Sequence, residues 1–316
     1  MQNPKVLAIL TVIFWSFSST FARLISLSSP YLLFCMSFVF ALIIYLAYAG
    51  FLYKGDFIRK LKRIPARYFL IGLFGYYAIW VGNTESFLSY NSASETTVLN
   101  YTWLIFTVFF SQLFFRPPSS INARFMVGNL GVLFCFLAVY FLAVEGRIGT
   151  FDFSNTRGLF WGLAGGMAYG FFSAYSSKIP KEEHPLFLIA AISSSLLAML
   201  ATAIFRNDSF AESVLKITAF DVLIAFAMGV LVDAFGYVMW TGSLRQASKL
   251  DIDISKVASI IFFLPVLSLV IVSIVFGENT IFKDYFLFSL VFLLSGIFLS
   301  QKAELISGFI TKNLKS

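Results

Sequence analysis

Residues 31–50 of this chain read YLLFCMSFVFALIIYLAYAG, twenty consecutive positions without a charged side chain. A hydrocarbon core about 30 Å thick is crossed by roughly 20 apolar residues in helical conformation. Nine further runs of similar length and character occupy most of the 316-residue chain. The ten runs lie near residues 6–26, 31–50, 68–88, 95–115, 126–144, 158–177, 186–205, 220–242, 256–276 and 284–301. We therefore expect an all-α, polytopic membrane protein with ten transmembrane helices.

The basic residues are distributed unevenly among the connections between these runs. If the N-terminus lies in the cytoplasm, 17 of the 23 lysines and arginines fall in cytoplasmic segments and 6 on the opposite side. Loops rich in Lys and Arg stay in the cytoplasm. We therefore expect a multi-pass protein of the cell inner (plasma) membrane with cytoplasmic N- and C-termini. The net charge of +7 is then a topology signal, and no nucleic-acid partner is expected.

The ten runs divide into two sets of five around the linker 146–157. The first five-helix repeat covers residues 1–146, the second covers 157–303, and 304–316 form a cytoplasmic tail. Ser94-Glu95 and Ser255-Lys256 open corresponding helices of the two halves. Because five is an odd number, the halves enter the membrane from opposite sides. Such inverted repeats are the architecture through which many secondary transporters achieve alternating access.

Several short motifs give the chain a family resemblance along its full length. They are Phe14-Trp15-Ser16 with Arg23 closing helix one, Glu95 five residues before Asn100-Tyr101-Thr102-Trp103, Tyr237-x-x-Trp240-x-Gly242, and Pro265-Val266-Leu267-Ser268. In this order the chain resembles the drug/metabolite transporter superfamily with its EamA-type repeat, and most closely the aromatic amino acid exporter branch. The resemblance implies a secondary transporter that exports small metabolites.

Two positions depart from the family pattern. The family commonly has proline after the aromatic pair of helix four, where this chain has Leu104, and only the helix-nine counterpart, Pro265, is kept. The family's helix six often carries tryptophan where this chain has Tyr169. Both positions resemble cavity or gating positions, so the departures put the identity of the substrate in doubt.

Two of the ionisable residues within the apolar runs stand out, because each needs a cavity or a partner there. Asp233 is near the middle of helix eight and Glu85 is in the corresponding helix three. Either carboxylate could bind the amino group of a substrate, carry a coupled proton, or only hydrogen-bond a neighbouring helix. Glu95 lies near a helix N-terminus, where the helix dipole favours an anion, so capping, gating and substrate contact are all open.

Aromatic side chains with polar groups occur at mid-span, although Tyr and Trp usually favour the membrane interface. Such rings stack on aromatic substrates or face an ammonium group through cation–π contact. The alternative for any one ring is core packing. The predicted substrate-binding residues are Trp15, Trp80, Glu85, Asn100, Tyr101, Trp103, Tyr169, Asp233, Tyr237 and Trp240. Glu95 and Pro265 are the predicted gating positions, and the cavity is expected among helices one, three, four, six, eight and nine.

Glycines at 158, 162, 166 and 170 recur every four residues in helix six and predict a seam of close helix packing. The only histidine, His184, stands beside Pro185 and is expected in a solvated loop. With one histidine and two dispersed cysteines, and without a zinc, nucleophile-elbow or P-loop motif, a membrane enzyme is a minor alternative and no cofactor or metal is expected.

A secondary transporter working by alternating access therefore explains the sequence best. Its substrate is expected to be an amino acid or amine-bearing metabolite, with export of aromatic or large neutral amino acids as the main hypothesis. The alternative is an importer of choline-like or other cationic metabolites, which would use the same rings and carboxylates.

Overall fold

A computed structural model of the chain describes residues 3–25, 29–115, 123–147, 149–206, 210–277 and 283–313. These residues form helices and turns, with no strand among them. Ten long helices follow one another: α1 Pro4–Leu24, α2 Pro30–Tyr53, α3 66–90, α4 Ala93–Phe115, α5 Ala123–Ala143, α6 Thr156–Ser176, α7 His184–Arg206, α8 Ala219–Lys249, α9 Ile254–Phe276 and α10 Asp284–Gln301. Shorter helices cover Lys54–Asp56, Phe57–Leu61 and Phe210–Leu215, and a last helix, α11, covers Ala303–Asn313.

Seven of the ten long helices in the described ranges are long and apolar enough to cross a membrane. The all-α, multi-pass architecture is thereby confirmed, whereas the predicted count of ten spans is not. The three helices outside the seven are α3, α4 and α6. They are long, but Asn, Thr, Ser, Gly and Tyr residues interrupt their apolar sequence.

Four of the long helices are irregular near their middle. In α1 the first helical part, Pro4–Trp15, is followed by a turn before Ser18–Leu24. In α9 a turn at 262–263 precedes Leu264–Phe276, because Pro265 has no N–H to continue the preceding hydrogen-bond ladder. In α3 and α8 the ladder widens to π-helix, over Leu73–Tyr77 and Met228–Gly236. Such segments in helices often mark functional sites.

The helices pack in a regular set of pairs. We call the side of the bundle where α1 begins the proximal face and the side where α1 ends the distal face. The helix α6 packs between α3 and α4, and α1 packs between α8 and α9. The helix α2 lies against α7 and α8, α7 lies against α3, and α5 lies along α10. Each long helix therefore contacts at least one helix from the other half of the chain.

Glycines allow these pairs to approach closely. A Cβ atom at Gly158, Gly162, Gly166 or Gly170 of α6 would stand 2.3–2.6 Å from side-chain atoms of α3 or α4. The predicted packing seam along α6 is thus confirmed. At Gly82 of α3 a Cβ would lie 2.6 Å from the carbonyl oxygen of Trp161 and 2.9 Å from Cα of Gly165, so backbone meets backbone at this crossing.

Replacing Gly82 with alanine is expected to destabilise the bundle, because backbone atoms cannot move aside as a flexible side chain does. Inserting a methyl group into a packed core costs about 1–3 kcal/mol. The matched control is Gly242→Ala, where the new Cβ meets only Leu7 Cδ1 at 3.6 Å and the helix gains propensity. Thermal unfolding of both variants in detergent checks this, and equal unfolding temperatures would contradict it.

The two cysteines and the one histidine all lie inside the bundle. Cys35 and Cys135 are free and buried, where a thiol behaves as a small apolar residue. The prediction of a solvated His184 was wrong: it is the first residue of α7, is buried, and its Nε2 lies 2.7 Å from Thr241 Oγ1. Proline favours the first turn of a helix, so Pro185 belongs to the start of α7 and carries His184 into the packed bundle.

Candidate functional site

A cavity of about 620 Å³ lies between the helices and opens on the distal face. Helix ends at that face form its mouth, with Arg23, Pro30, Phe87, Ser94 and Glu145 among them. Further in, the cavity is lined by side chains from the six helices that the sequence indicated, α1, α3, α4, α6, α8 and α9, and also from α2 and α5. Small-molecule sites typically measure about 300–1,000 Å³, so the cavity has room for a metabolite.

Aromatic rings close the inner end of the cavity. Trp15, Trp103, Tyr169 and Tyr237 lie on its wall near the middle of their helices, and we call these four residues the aromatic floor. Ring centroids are 5.0 Å apart for Trp103 and Tyr169, and 5.1 Å apart for Trp15 and Tyr237, both edge-to-face. Edge-to-face contacts are favourable for aromatic pairs beyond the area that they bury, so the floor is a cohesive cluster.

Below the aromatic floor the helices are packed down to the proximal face. Trp240 is fully buried there, with its ring 5.3 Å from Trp103 and its Nε1 donating a hydrogen bond to Ser173 Oγ at 3.1 Å. Nearer the proximal surface, Ser243 Oγ donates to the carbonyl oxygen of Pro4 at 2.6 Å and ties α8 to α1. The cavity therefore reaches the middle of the bundle from one face and ends there.

Polar side chains line the wall between the mouth and the aromatic floor. They include Asn83 and Thr84 of α3, Thr96, Thr97 and Asn100 of α4, and Ser268 of α9. Asn100 Oδ1 and Ser268 Oγ are buried without a hydrogen-bond partner in the described part of the chain. A buried polar atom without a partner costs about 1–3 kcal/mol. A ligand that supplies hydrogen-bond donors at this level would remove that cost.

The structure brings together most of the residues predicted for the site. Those on the cavity wall are Trp15, Trp80, Asn100, Tyr101, Trp103, Tyr169, Tyr237 and Pro265. Pro265 lies where α9 is interrupted, so the interruption itself faces the cavity. Glu85, Glu95, Asp233 and Trp240 are not on the wall.

Glu85 is occupied by other protein groups. It is buried near the distal end of α3, where the hydroxyl of Tyr31 donates to Oε1 at 2.5 Å. Arg157 Nη2 lies 3.3 Å from Oε2, and Arg206 forms a second ion pair with Oε1. These three partners come from α2, α6 and α7. Glu85 therefore joins four helices, and its expected place on the cavity wall is corrected because its oxygens point to these partners.

Asp233 is fully buried behind the wall, in the π segment of α8. Its neighbour Val232 and Tyr237, one turn further on, line the cavity, but Asp233 does not. The hydroxyl of Tyr76 donates to Oδ1 at 3.0 Å, and Oδ2 has no hydrogen-bond partner within the described ranges. The expected contact between this carboxyl and a substrate is therefore not made in this structure.

Glu95 and Trp240 lie just outside the wall. Glu95 accepts a hydrogen bond from the hydroxyl of Ser92 in the first turn of α4, which is a capping arrangement, and its neighbours Ser94 and Thr96 line the cavity instead. Trp240 supports the aromatic floor from below.

Several wall residues were missed by the sequence analysis, although a signal was available. On α3 the wall residues Trp80, Asn83, Thr84 and Phe87 stand at i, i+3, i+4 and i+7. On α9 the wall residues Pro265, Ser268, Leu269 and Val272 have the same spacing. This spacing defines one face of an α-helix. Because Trp80 and Pro265 were predicted for the site, the residues at i+3, i+4 and i+7 from each could have been predicted with them.

Comparison with known proteins places the first half of the chain. Residues 4–144, which are α1 to α5 and somewhat less than half of the chain, match the model of the EamA-like transporter family. No curated protein matches the sequence. Among solved structures, one crystal structure aligns over 100% of this chain and 100% of its own, with a TM-score of 0.70 and 17% sequence identity, a likeness of fold alone. Over its first five helices the chain is similar to the EamA-like transporters of the drug/metabolite transporter superfamily, whereas the exporter branch finds no support in these matches.

Proposed function

We propose that this protein is a secondary transporter that moves a small metabolite across the inner (plasma) membrane by alternating access. The observation that carries the proposal is a metabolite-sized cavity that opens on one face and ends at the aromatic floor in the middle of the bundle. A substrate bound there would become accessible from the proximal face when the aromatic floor and the packing below it open and the mouth closes. The similarity of residues 4–144 to EamA-like transporters supports this assignment.

The proposed machinery consists of two inverted five-helix repeats, 1–146 and 157–303. The helix pairing supports it, because exchanging each helix with the one five places along the chain leaves the main pairs described above unchanged. Thus α6 on α3 and α4 corresponds to α1 on α8 and α9, and α2 on α8 corresponds to α7 on α3. The π segments of α3 and α8 also correspond. So do two close contacts, since a Cβ at Gly72 would meet Ala191 and one at Gly229 would meet the carbonyl oxygen of Ser37.

The wall favours an amino acid with an aromatic or large neutral side chain as the substrate. Rings from Trp80, Tyr101 and the aromatic floor would contact the apolar body of such a molecule. The amides and hydroxyls of α3, α4 and α9 would bind its ammonium and carboxylate groups, and Arg23 brings a guanidinium to the mouth. The two intramembrane carboxylates that suggested a choline-like cation face other protein groups, so the cationic alternative loses its main support.

The excess of basic residues at the proximal side supports a cytoplasmic position for that face and for both termini. The cavity would then open to the outside. In the proposed export cycle, this is the state that releases the substrate.

A thermal-shift screen of the purified protein tests the substrate class. A ligand that binds the folded state raises its stability by RT ln(1 + [L]/Kd). We expect phenylalanine, tryptophan and large neutral amino acids to raise the unfolding temperature, and radiolabelled phenylalanine to exchange across liposomes containing the protein. Stabilisation by choline alone would instead support the cation importer, and no response to either class would contradict both readings.

Asn100→Leu is expected to weaken phenylalanine binding about tenfold, the equivalent of one hydrogen bond to a charged group at about 1.4 kcal/mol. The replacement is close in volume and removes a buried oxygen that lacks a partner among the described residues, so the unliganded protein should keep its stability. The matched control is Asn129→Leu on α5, where the amide bonds its own helix at the carbonyl oxygen of Phe125 and does not line the cavity. Equal phenylalanine affinity in the two variants would show that Asn100 does not contact the substrate.

A further inference from the structure

Asp233 has surroundings that no substrate contact explains. It is the fifteenth residue of the 31-residue helix α8, so it lies at the middle of the span, and its side chain is fully buried. In the described part of the chain it makes no ion pair, in contrast to Glu85 with its two arginines. A charged group at this depth is costly unless a partner or water stabilises it, and such groups in membrane helices commonly serve ion or proton pathways.

The hydrogen-bond donors around Asp233 are mostly directed at backbone atoms. The hydroxyl of Tyr45 donates to the carbonyl oxygen of Asp233 at 2.6 Å, and Trp15 Nε1 donates to that of Val232 at 3.1 Å. Tyr76 donates to Oδ1 of the side chain and the Ser37 hydroxyl lies beside the carboxyl group, while Oδ2 has no hydrogen-bond partner among the described residues. Both of these carbonyl oxygens belong to the π segment, Met228–Gly236. These donors thus stabilise the backbone of α8 and provide few hydrogen bonds to a negatively charged Asp233 carboxylate.

The titratable groups that face Asp233 are hydroxyls. They belong to Tyr45 of α2, Tyr76 of α3, Tyr169 of α6 and Tyr237 of α8 itself. The serine hydroxyl of Ser37 on α2 also lies beside the carboxyl group, while α1 contributes the indole of Trp15. Within the described ranges, Asp233 is therefore the only carboxylic acid in this cluster.

One ring connects this cluster to the cavity. Tyr237 lines the wall and its ring centroid is 4.3 Å from that of Tyr76, whose hydroxyl bonds Asp233. Val232 and Tyr237 are thus the barrier between the carboxyl group and the cavity. A small shift of the π segment of α8 would open this barrier to water.

We propose that Asp233 is the binding site for a proton whose movement drives transport. The carboxyl group holds the proton on Oδ2 while it is packed behind Val232 and Tyr237, as in this structure. When α8 shifts and cavity water reaches it, the O–H bond breaks, the proton passes to water, and the carboxylate remains. Asp233 becomes accessible from one face and then from the other, together with the cavity. A proton therefore enters as a substrate molecule leaves. The coupling rests on the proposed function, whereas proton binding by Asp233 does not.

Infrared spectroscopy of the purified protein tests proton binding without any substrate. At pH 7 we expect the C=O stretching band of a protonated carboxylic acid in the wild type and its loss in Asp233→Asn. The matched control is Asp221→Asn, near the start of the same helix, where the carboxylate accepts hydrogen bonds from the backbone and hydroxyl of Thr218 and should contribute no such band. Absence of the band from the wild type, or its survival in Asp233→Asn, would overturn the proposal.

Tyr76→Phe is the second variant, in case Asp233→Asn fails to fold. It removes the hydrogen bond to Oδ1 and should move the same band to higher frequency, and an unmoved band would count against the assignment to Asp233.

Liposomes loaded with labelled phenylalanine then test the coupling. An imposed pH gradient should drive accumulation by the wild type and by Asp221→Asn. Asp233→Asn should lose this accumulation but still be stabilised by phenylalanine, since Asp233 lies off the wall. Accumulation by the wild type that ignores the pH gradient would refute proton coupling. Failure of the wild type to bind or exchange any amino acid would refute the proposed substrate, and the infrared band would still decide whether Asp233 holds a proton.

Discussion

Glu85→Gln is expected to lower the stability of the protein more than the same replacement of an exposed glutamate. The carboxylate is buried, accepts a hydrogen bond from Tyr31 and pairs with both Arg157 and Arg206. Removing one member of a fully buried ion pair costs about 3–5 kcal/mol. The side chains of Arg157 and Arg206 are 64% and 37% exposed, so water screens part of the interaction. We therefore expect a loss of about 2 kcal/mol, below that range.

Thermal unfolding in detergent measures this effect, with Glu145→Gln as the matched control. Glu145 pairs with Arg147 at 3.3 Å, but both side chains are largely in water, and such surface pairs contribute about 0–1 kcal/mol. A double-mutant cycle of Glu85→Gln with Arg206→Gln isolates the pair itself. An unchanged unfolding temperature for Glu85→Gln would mean that the four helices are held at the distal face by apolar packing alone.

The helix ends and the local interruptions of the helices are the parts of this fold that are predictable from sequence. The apolar runs gave the ends of the ten long helices to within three residues, except that α8 continues seven residues beyond its run. A long apolar run is itself the signal of a membrane helix, so this part of the fold is readable from sequence. The interruption at Pro265 and the glycine seam of α6 were equally readable, since a missing N–H and a missing Cβ act locally.

The rotation of each helix about its axis, which decides the side chains that face the cavity, was not predictable from the sequence in the same way. A soluble helix reveals its inner face through alternation of polar and apolar residues. A transmembrane helix is apolar toward lipid as well as toward its neighbours, so that signal is weak. Asp233 and Glu85 were correctly expected to face inward, but the sequence could not distinguish a cavity from a neighbouring tyrosine or arginine. For the same reason the sequence predicted both Trp240 and Trp80 as substrate-binding residues, although only Trp80 lies on the cavity wall.

Trp240→Ala and Trp80→Ala are expected to have opposite effects on stability and substrate binding. Trp240 is fully buried beneath the aromatic floor and packs on Trp103 and Trp15, with centroids 5.3 and 6.2 Å away. Truncating a buried tryptophan costs about 3–5 kcal/mol through lost contacts and the space left behind. Trp80 is only half-buried on the wall, 4.6 Å from the ring of Phe34, and its removal enlarges an existing cavity.

We therefore expect Trp240→Ala to lower the unfolding temperature strongly without ligand, and Trp80→Ala to lower it little. Conversely, Trp80→Ala should weaken phenylalanine binding about tenfold, because the substrate loses a stacking partner. Trp161→Ala on α6, which lines neither the cavity nor the floor, is the control for loss of a tryptophan as such. If Trp240→Ala unfolds like the wild type but no longer responds to phenylalanine, Trp240 must reach the substrate in the state open to the proximal face. Trp80 would then contact the substrate in the state open to the distal face, and Trp240 would contact it in the state open to the proximal face, on the other side of the aromatic floor.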